Sequence, residues 1–221
     1  MVEADRGEAT VYPRGSAPFD RVIFFSDAVF AIALTLVAVE IGIPEVADPG
    51  SSSELWAALL EKVPSLAAFA FTFFWVAFYW RANHKFTNGL KAMDGRYITA
   101  VLVYLAFIAL LPFPAATLGE YYNAVALSFF LAFMACVSTM EVVLLVVADR
   151  RGLQDQPMDD PTRRFAIVAS LVPVAAAILT IPVTFLSVPL GVVVFFGLAL
   201  GLGTIVNRTL GSRSSAREGP G

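Results

Sequence analysis

The chain is poor in the residues that most chemistry needs. Its 221 residues include one cysteine, Cys136, and one histidine, His84. A single thiol inside an apolar run excludes a disulfide framework and a Cys/His metal site. There is no HExxH pair, no Gly-rich phosphate loop and no pair of aspartates in the middle of an apolar segment, so an enzyme is not expected. Charged residues make up only 15% of the chain, against 58% hydrophobic residues and a mean hydropathy of +0.75. No ordinary soluble domain of this size has that balance. What is abundant is long apolar sequence, which reads as an all-α integral membrane protein built as one domain.

Hydropathy and breaker residues divide the chain into six spans, at about 21–43, 58–80, 96–111, 122–147, 164–185 and 188–206. Each is long enough, at about 1.5 Å rise per residue, to cross a bilayer or nearly so. Residues 1–18 and 209–221 are polar and rich in Gly, Pro and Ser, and are expected as disordered tails, flanking a six-helix domain over 19–208. The segment 44–53 (PEVADPGSSS) is expected as a loop and Pro112-Phe113-Pro114 as a helix end. The first apolar run is too long and too decorated with polar groups to be a signal peptide. No internal repeat is visible. Gly197 and Gly201 fit a small-xxx-small packing face on the last span.

Charge placement orients the spans. Fourteen of the fifteen Lys and Arg residues fall in the two tails and in the loops near 81–96 and 148–164, and only Lys62 falls on the other side. By the positive-inside rule both termini are expected in the cytoplasm, in a multi-pass cell-membrane protein.

The first span, RVIFFSDAVFAIALTLVAVEIGI, is the least ordinary. It carries Arg21, Ser26 and Asp27 at one end, Thr35 in the middle and Glu40 near the other. Such groups must face protein or water, because hydrocarbon penalises an unpaired polar group by several kcal/mol. At about 100° per residue, Ile32, Leu36 and Val39 lie within about 60° of one another, with Ala28 and Phe25 continuing the stripe and Thr35 on its flank. Asp27 points roughly the other way, toward a neighbouring helix. Arg21 and Asp27 are poorly placed to pair with each other, so each needs a partner elsewhere. By depth, His84 and Trp80 on the second span are the expected partners of Asp27 and Ser26, in a polar cluster that holds the first helix in register. Glu141 stands among aliphatic neighbours on the fourth span, where a basic helix end is its expected partner. Glu40 reads as an external acidic vestibule or as a surface residue.

Arg21, three residues, then Phe25-Ser26-Asp27 and AVFAIALTL, resembles the RxxxFSD signature of the transmembrane-protein-175 family. Its members are potassium-permeable channels of endosomes and lysosomes, with single-unit prokaryotic relatives. LLPFPAATLG, at 110–119, is similar to the end of the family's third helix. The family's second helix tends to end W-x-x-H-H; here Trp80 is followed by Arg81, Ala82, Asn83 and His84, so Asn83 stands where a first histidine is usual. The later spans resemble the family only in hydropathy and position.

The resemblance implies a homotetramer in which four copies of the first helix line an axial pore, with a constriction at Ile32 and with Leu36, Val39 and Thr35 lining it. No TVGYG-like filter is present. Potassium preference would then come from the cost of stripping water at an aliphatic ring. No cofactor is expected beyond permeant potassium ions. Expected partners are further copies of the chain, monovalent cations and the lipid bilayer, not nucleic acid. The alternative is a proton-coupled or proton-conducting transporter using Asp27, His84, Glu40 and Glu141 as a relay. Against it stands the lack of inverted repeats and of helices broken at the midplane.

Overall fold

The computed structural model describes residues 10–211. Its elements in order are β1 (Val11–Pro13), α1 (Ala17–Val39), α2 (Ser52–Glu61), α3 (Val63–Thr87), β2 (Ala92–Asp94), α4 (Gly95–Leu110), α5 (Pro112–Tyr121), α6 (Ala124–Arg150), α7 (Asp160–Thr184) and α8 (Val188–Val206), closed by a π-helical turn at Asn207–Gly211. Six helical units are long and apolar enough to cross a membrane, with α4 and α5 together forming the third. The six-span, all-helical architecture is as the sequence predicts. Several boundaries are not.

The first span stops at Val39 instead of near residue 43. Ile41 and Gly42 turn tightly back on Ala38 and Val39, at 3.3 and 3.2 Å, Gly42 takes φ +67°, and Pro44 follows. A left-handed glycine followed closely by proline ends a helix. The expected loop 44–53 gives way at its end to α2. There Ser51 Oγ accepts the Glu54 N–H at 3.3 Å and the Glu54 carboxylate accepts the Asp48 N–H at 3.0 Å, a local cap that starts a new helix. None of α2 is buried, and it exposes Leu55, Trp56, Leu59 and Leu60.

The second span runs on through Arg81–Lys85 to Thr87, because no breaker occurs before Gly89. At Pro112 the chain pauses for one residue and then resumes as α5. Proline has no N–H for the Ile108 carbonyl; the Leu111 N–H takes it instead at 3.2 Å, and the Ala115 N–H restarts the ladder on Leu111. Asn123 caps α6 and Asp159 caps α7 through their side-chain oxygens, at 2.9 and 3.0 Å.

Both expected tails are corrected in part. Val11–Pro13 is a strand, antiparallel to Ala92–Asp94, and α1 begins at Ala17; residues 1–9 lie outside the described residues. At the other end Asn207–Gly211 continues α8, and residues 212–221 lie outside the described residues.

The core collects one face of each long helix: Phe30, Ala33 and Val37 of α1, Trp75, Val76 and Tyr79 of α3, Tyr104 and Ile108 of α4, Phe130 and Met134 of α6, Ala176 and Ala177 of α7, and Phe195 of α8. Helix α6 packs on both α4 and α7, and α8 packs on α7. Gly119 lets α5 lie directly on α3. A Cβ there would stand 3.0 Å from Ser65 Cα, and Ser65 Oγ donates to the Gly119 carbonyl at 3.3 Å. Gly197 and Gly201, by contrast, have nothing within 4 Å of an added Cβ, so the small face read on the last span packs on nothing among the described residues.

The end of the bundle that carries β1 and β2 is stitched by short-range polar contacts. Arg14 donates to the Asn88 carbonyl at 2.7 Å, the Lys91 N–H to Leu153 and the Asp155 N–H to Gly89, both at 2.9 Å. At their centre Asp94 caps α4 through the Tyr97 N–H at 2.8 Å and accepts Arg151 Nε at 2.6 Å, almost wholly buried. Burial opposes the charged carboxyl, but the Tyr97 N–H, Arg151 and the nearby Arg96 outweigh it and hold its pKa below the usual carboxylate value.

A carboxyl held low in the folded state stabilises fully above its unfolded pKa, about 3.9, and that contribution is lost as pH falls through the folded value. Asp94→Asn keeps the cap oxygen and removes the charge. It should lower the melting temperature of the solubilised protein at neutral pH and flatten its further fall below about pH 4. Parallel melting profiles for the two proteins across that range would remove Asp94 as an acid-sensitive tie.

Candidate pore helix and the contacts that orient it

Helix α1 has two unlike faces. Phe19, Ser26, Phe30, Ala33 and Val37 recur at helical spacing and are buried. Ile32, Leu36 and Val39 remain 57%, 42% and 71% exposed, with Phe25 continuing the strip at 51%. Large aliphatic groups aligned over two turns of a helix and left largely exposed are the site's main feature. Thr35, on the flank, donates its hydroxyl proton to the Ile32 carbonyl at 2.9 Å. Its oxygen lone pairs stay available on the exposed side.

The rotation of α1 is set near its middle. Asp27 is half-buried, and Asp27 Oδ1 accepts the Trp80 Nε1 hydrogen at 2.9 Å, tying α1 to α3 across 53 residues of sequence. His84, one turn further along α3, stacks on Trp80 with ring centroids 5.5 Å apart and planes 25° apart. Histidine therefore backs the indole and does not itself bond Asp27. Ser26 does not join the cluster: its hydroxyl turns inward and donates to the Val22 carbonyl at 2.8 Å. Arg21 is exposed on the same arc as Phe25 and Ile32, with no ion pair among the described residues. Asn83, at the position where the sequence departs from the family pattern, is buried and lines a cavity of about 70 Å³ with Tyr104 and Glu141.

Among the described residues Glu141 makes no ion pair with a basic residue. It accepts from the Tyr104 hydroxyl at 3.4 Å, close to a second pair in which Tyr79 and Ser138 share a hydrogen bond of 2.8 Å. This tyrosine layer escaped the sequence reading. Its one trace is that Ser138 and Glu141 are three residues apart on α6, both facing the α3–α4 side. Among the described residues no direct hydrogen bond joins Glu141 to Asp27, His84 or Glu40. Glu40 is exposed at the end of α1, beside Ser65, Gly119 and Glu120.

Together these features define a six-span helical membrane protein whose first helix is locked by a carboxylate–indole bond and presents an aliphatic strip outward. Residues 21–112 match the family described as endosomal/lysosomal potassium channel TMEM175. The chain is 29% identical over 176 residues to a potassium channel of Streptomyces collinus, covering 77% of this chain and 84% of that one. It is 34% identical over 104 residues to a potassium channel of Chamaesiphon minutus, covering 46% and 49%. The crystal structure of a TMEM175 homolog from Chamaesiphon minutus superposes with a TM-score of 0.68 at 26% identity, over 87% of this chain and all of that one. The chain is therefore similar to the TMEM175 potassium channels, in sequence over its first three spans and in fold over most of its length.

Trp80→Phe keeps the stacking ring and deletes the donor to Asp27. It should lower unfolding stability by about 1–3 kcal/mol, the range for a hydrogen bond to a charged group. In a double-mutant cycle with Asp27→Ala most of that loss should disappear. Additive losses in chemical unfolding would mean that the two residues stabilise α1 separately.

Proposed function

We propose that this protein is a potassium-permeable cation channel, a homotetramer in which the exposed strip of α1 lines the axial pore and forms a hydrophobic constriction at Ile32. The observation that carries this reading is the strip itself. Ile32, Leu36 and Val39 are exposed in one subunit while the opposite face of the same helix is fully packed. Rotational symmetry converts one such strip into stacked rings. An aliphatic ring closes a pore by expelling water, and a slight widening passes partly hydrated ions. Potassium gives up water more readily than sodium, so the ring favours it modestly. The Thr35 lone pairs lie where a passing cation has lost part of its shell. The potassium channels named among its relatives support the choice of ion.

Both termini are assigned to the cytoplasm, because the described basic residues except Lys62 gather at the β1–β2 end of the bundle or along the loops there. Asp27, held by Trp80, acts as an orienting residue and not as an ion ligand. Asp27→Ala should therefore reduce assembled oligomer, read by size-exclusion chromatography, with selectivity unchanged in the fraction that assembles.

The test of conduction is flux from proteoliposomes under a potassium gradient, with and without sodium. Potassium flux that neither needs nor drags protons is the channel outcome; strict proton coupling is the transporter outcome. Ile32→Asn should raise flux severalfold and reduce the preference for potassium. Ile32→Cys should make flux sensitive to thiol reagents. Unaltered flux in both variants would place the strip against lipid and end this reading.

A further inference from the structure

The cavity beside Glu141 lies where α3, α4, α6 and α7 meet and has a volume of about 70 Å³. That is several times the ~10–15 Å³ that a single water needs. Glu141 of α6, Asn83 of α3 and Ser170 of α7 line it. Glu141 stands inside a membrane span, and the one side-chain hydrogen bond it makes among the described residues is from the Tyr104 hydroxyl to Oε1, at 3.4 Å. So long a bond leaves the second oxygen and most of the charge uncompensated. A carboxylate placed there needs a counter-charge, and among the described residues no lysine or arginine supplies one.

The other two groups are equally unspent. Asn83 is only 9% exposed, yet its side-chain amide makes no hydrogen bond among the described residues, and neither does the Ser170 hydroxyl. The polar atoms that are both sealed in and unbonded belong to other residues, so these two open onto the cavity they line. A carboxylate, an amide and a hydroxyl from three helices thus border one cavity without bonding to one another. A second cavity of about 530 Å³ adjoins it and shares Ala82, Phe86 and Ser170 as lining. That one reaches Lys85, Gln154 and Asp155 at the β1–β2 end of the bundle, which gives an ion its way in.

We propose that the cavity binds one monovalent alkali cation, held by the Glu141 carboxylate, the Asn83 amide oxygen and the Ser170 hydroxyl, with water completing the shell. Hard oxygen donors suit such an ion and not a soft metal. A single carboxylate balances one charge, and a divalent ion leaves a net positive charge among apolar helices. Water alone fits the volume but brings no charge. No residue of α1 lines the cavity, so the site stands apart from the pore reading.

The full chain in phosphatidylcholine liposomes is treated with N,N′-dicyclohexylcarbodiimide, an apolar reagent for protonated carboxyl groups, and modification of Glu141 is followed by mass spectrometry. Choline replaces sodium or potassium at constant ionic strength and pH. A bound cation keeps the proton off Glu141, so modification should be fast in choline and fall saturably as sodium or potassium is added in separate titrations. The ion that protects at lower concentration is the one preferred. In Asn83→Ala and Ser170→Ala the half-protecting concentration should rise about five-fold, as for loss of one polar contact. Equal modification with and without alkali ion indicates an acid that is simply protonated or hydrated, and overturns the proposal. Unchanged half-protection in both alanine variants overturns it as well. Melting temperature gives a second readout: alkali ions should raise it less in Glu141→Gln, which keeps an acceptor for Tyr104, than in the wild type. Equal rises overturn the site even if Glu141 resists the reagent, and if Glu141→Gln fails to fold the labelling decides.

Discussion

A carboxylate inside an apolar helix has few ways to exist. Water is remote, hydrocarbon is costly, and a partner must come from another helix at the same depth. Asp27 meets this constraint through the Trp80 indole at 2.9 Å, and the consequence reaches the whole of α1. A helix is rigid about its axis, so fixing the azimuth of one residue fixes that of every other. With Asp27 turned to α3, Phe30, Ala33 and Val37 are driven into the core and Ile32, Leu36 and Val39 are left outside it. The exposed strip follows from where the acid is satisfied, not from any preference of the aliphatic residues for exposure. Trp80 suits the task because its ring is steadied by His84 stacked behind it. A donor that is already oriented loses little freedom when it bonds.

The same logic accounts for the other polar groups in the bundle. Tyr79 with Ser138, and Tyr104 with Glu141, form a layer where α3, α4 and α6 meet, each hydroxyl spent on a neighbour. In a medium without competing water such pairs fix the relative rotation and translation of the helices that carry them. At the β1–β2 end of the bundle the ties change character. There charge is used, as in Asp94 with Arg151, and main-chain pairing brings β1 against the α3–α4 connection. Because β1 is joined to α1 through only three residues, 14–16, this pairing also anchors the start of the helix that bears the strip.

The six spans and the strip are legible in the sequence because both are local and periodic. Hydropathy needs only a window, and the face of Ile32, Leu36 and Val39 needs only the helical repeat. What was not legible depends on partners far along the chain. Nothing near Glu141 names Tyr104, and the expectation of a basic partner came from charge alone. Ser26 looked like a member of the Asp27 cluster by adjacency, but adjacent residues sit about 100° apart on a helix, and that angle sends its hydroxyl inward. The strand at Val11–Pro13 has no alternation long enough to announce itself. It exists because Ala92–Asp94 lies alongside. Where the helices were mis-bounded, the cause was local. Ser51 and Glu54 begin α2, Gly42 ends α1, and a single proline at 112 interrupts the third span without ending it.

Thr35 shows how little chemistry a pore of the proposed kind requires. A hydroxyl facing an apolar passage can offer either a proton or lone pairs, and only lone pairs attract a cation. By donating to the Ile32 carbonyl one turn back, Thr35 commits its proton to the backbone and leaves oxygen electron density on its exposed side. The same bond gives that carbonyl a second donor beside its helical one. In the proposed pore the oxygen would lie between rings of Ile32 and Leu36, where an ion that has shed part of its shell at one ring would not yet have regained it before the next. A ring of such oxygens lowers the cost of partial dehydration without a cage that fits one ion. Discrimination then follows the difference in hydration strength between potassium and sodium, and aliphatic collars with a threonine between them favour potassium only modestly.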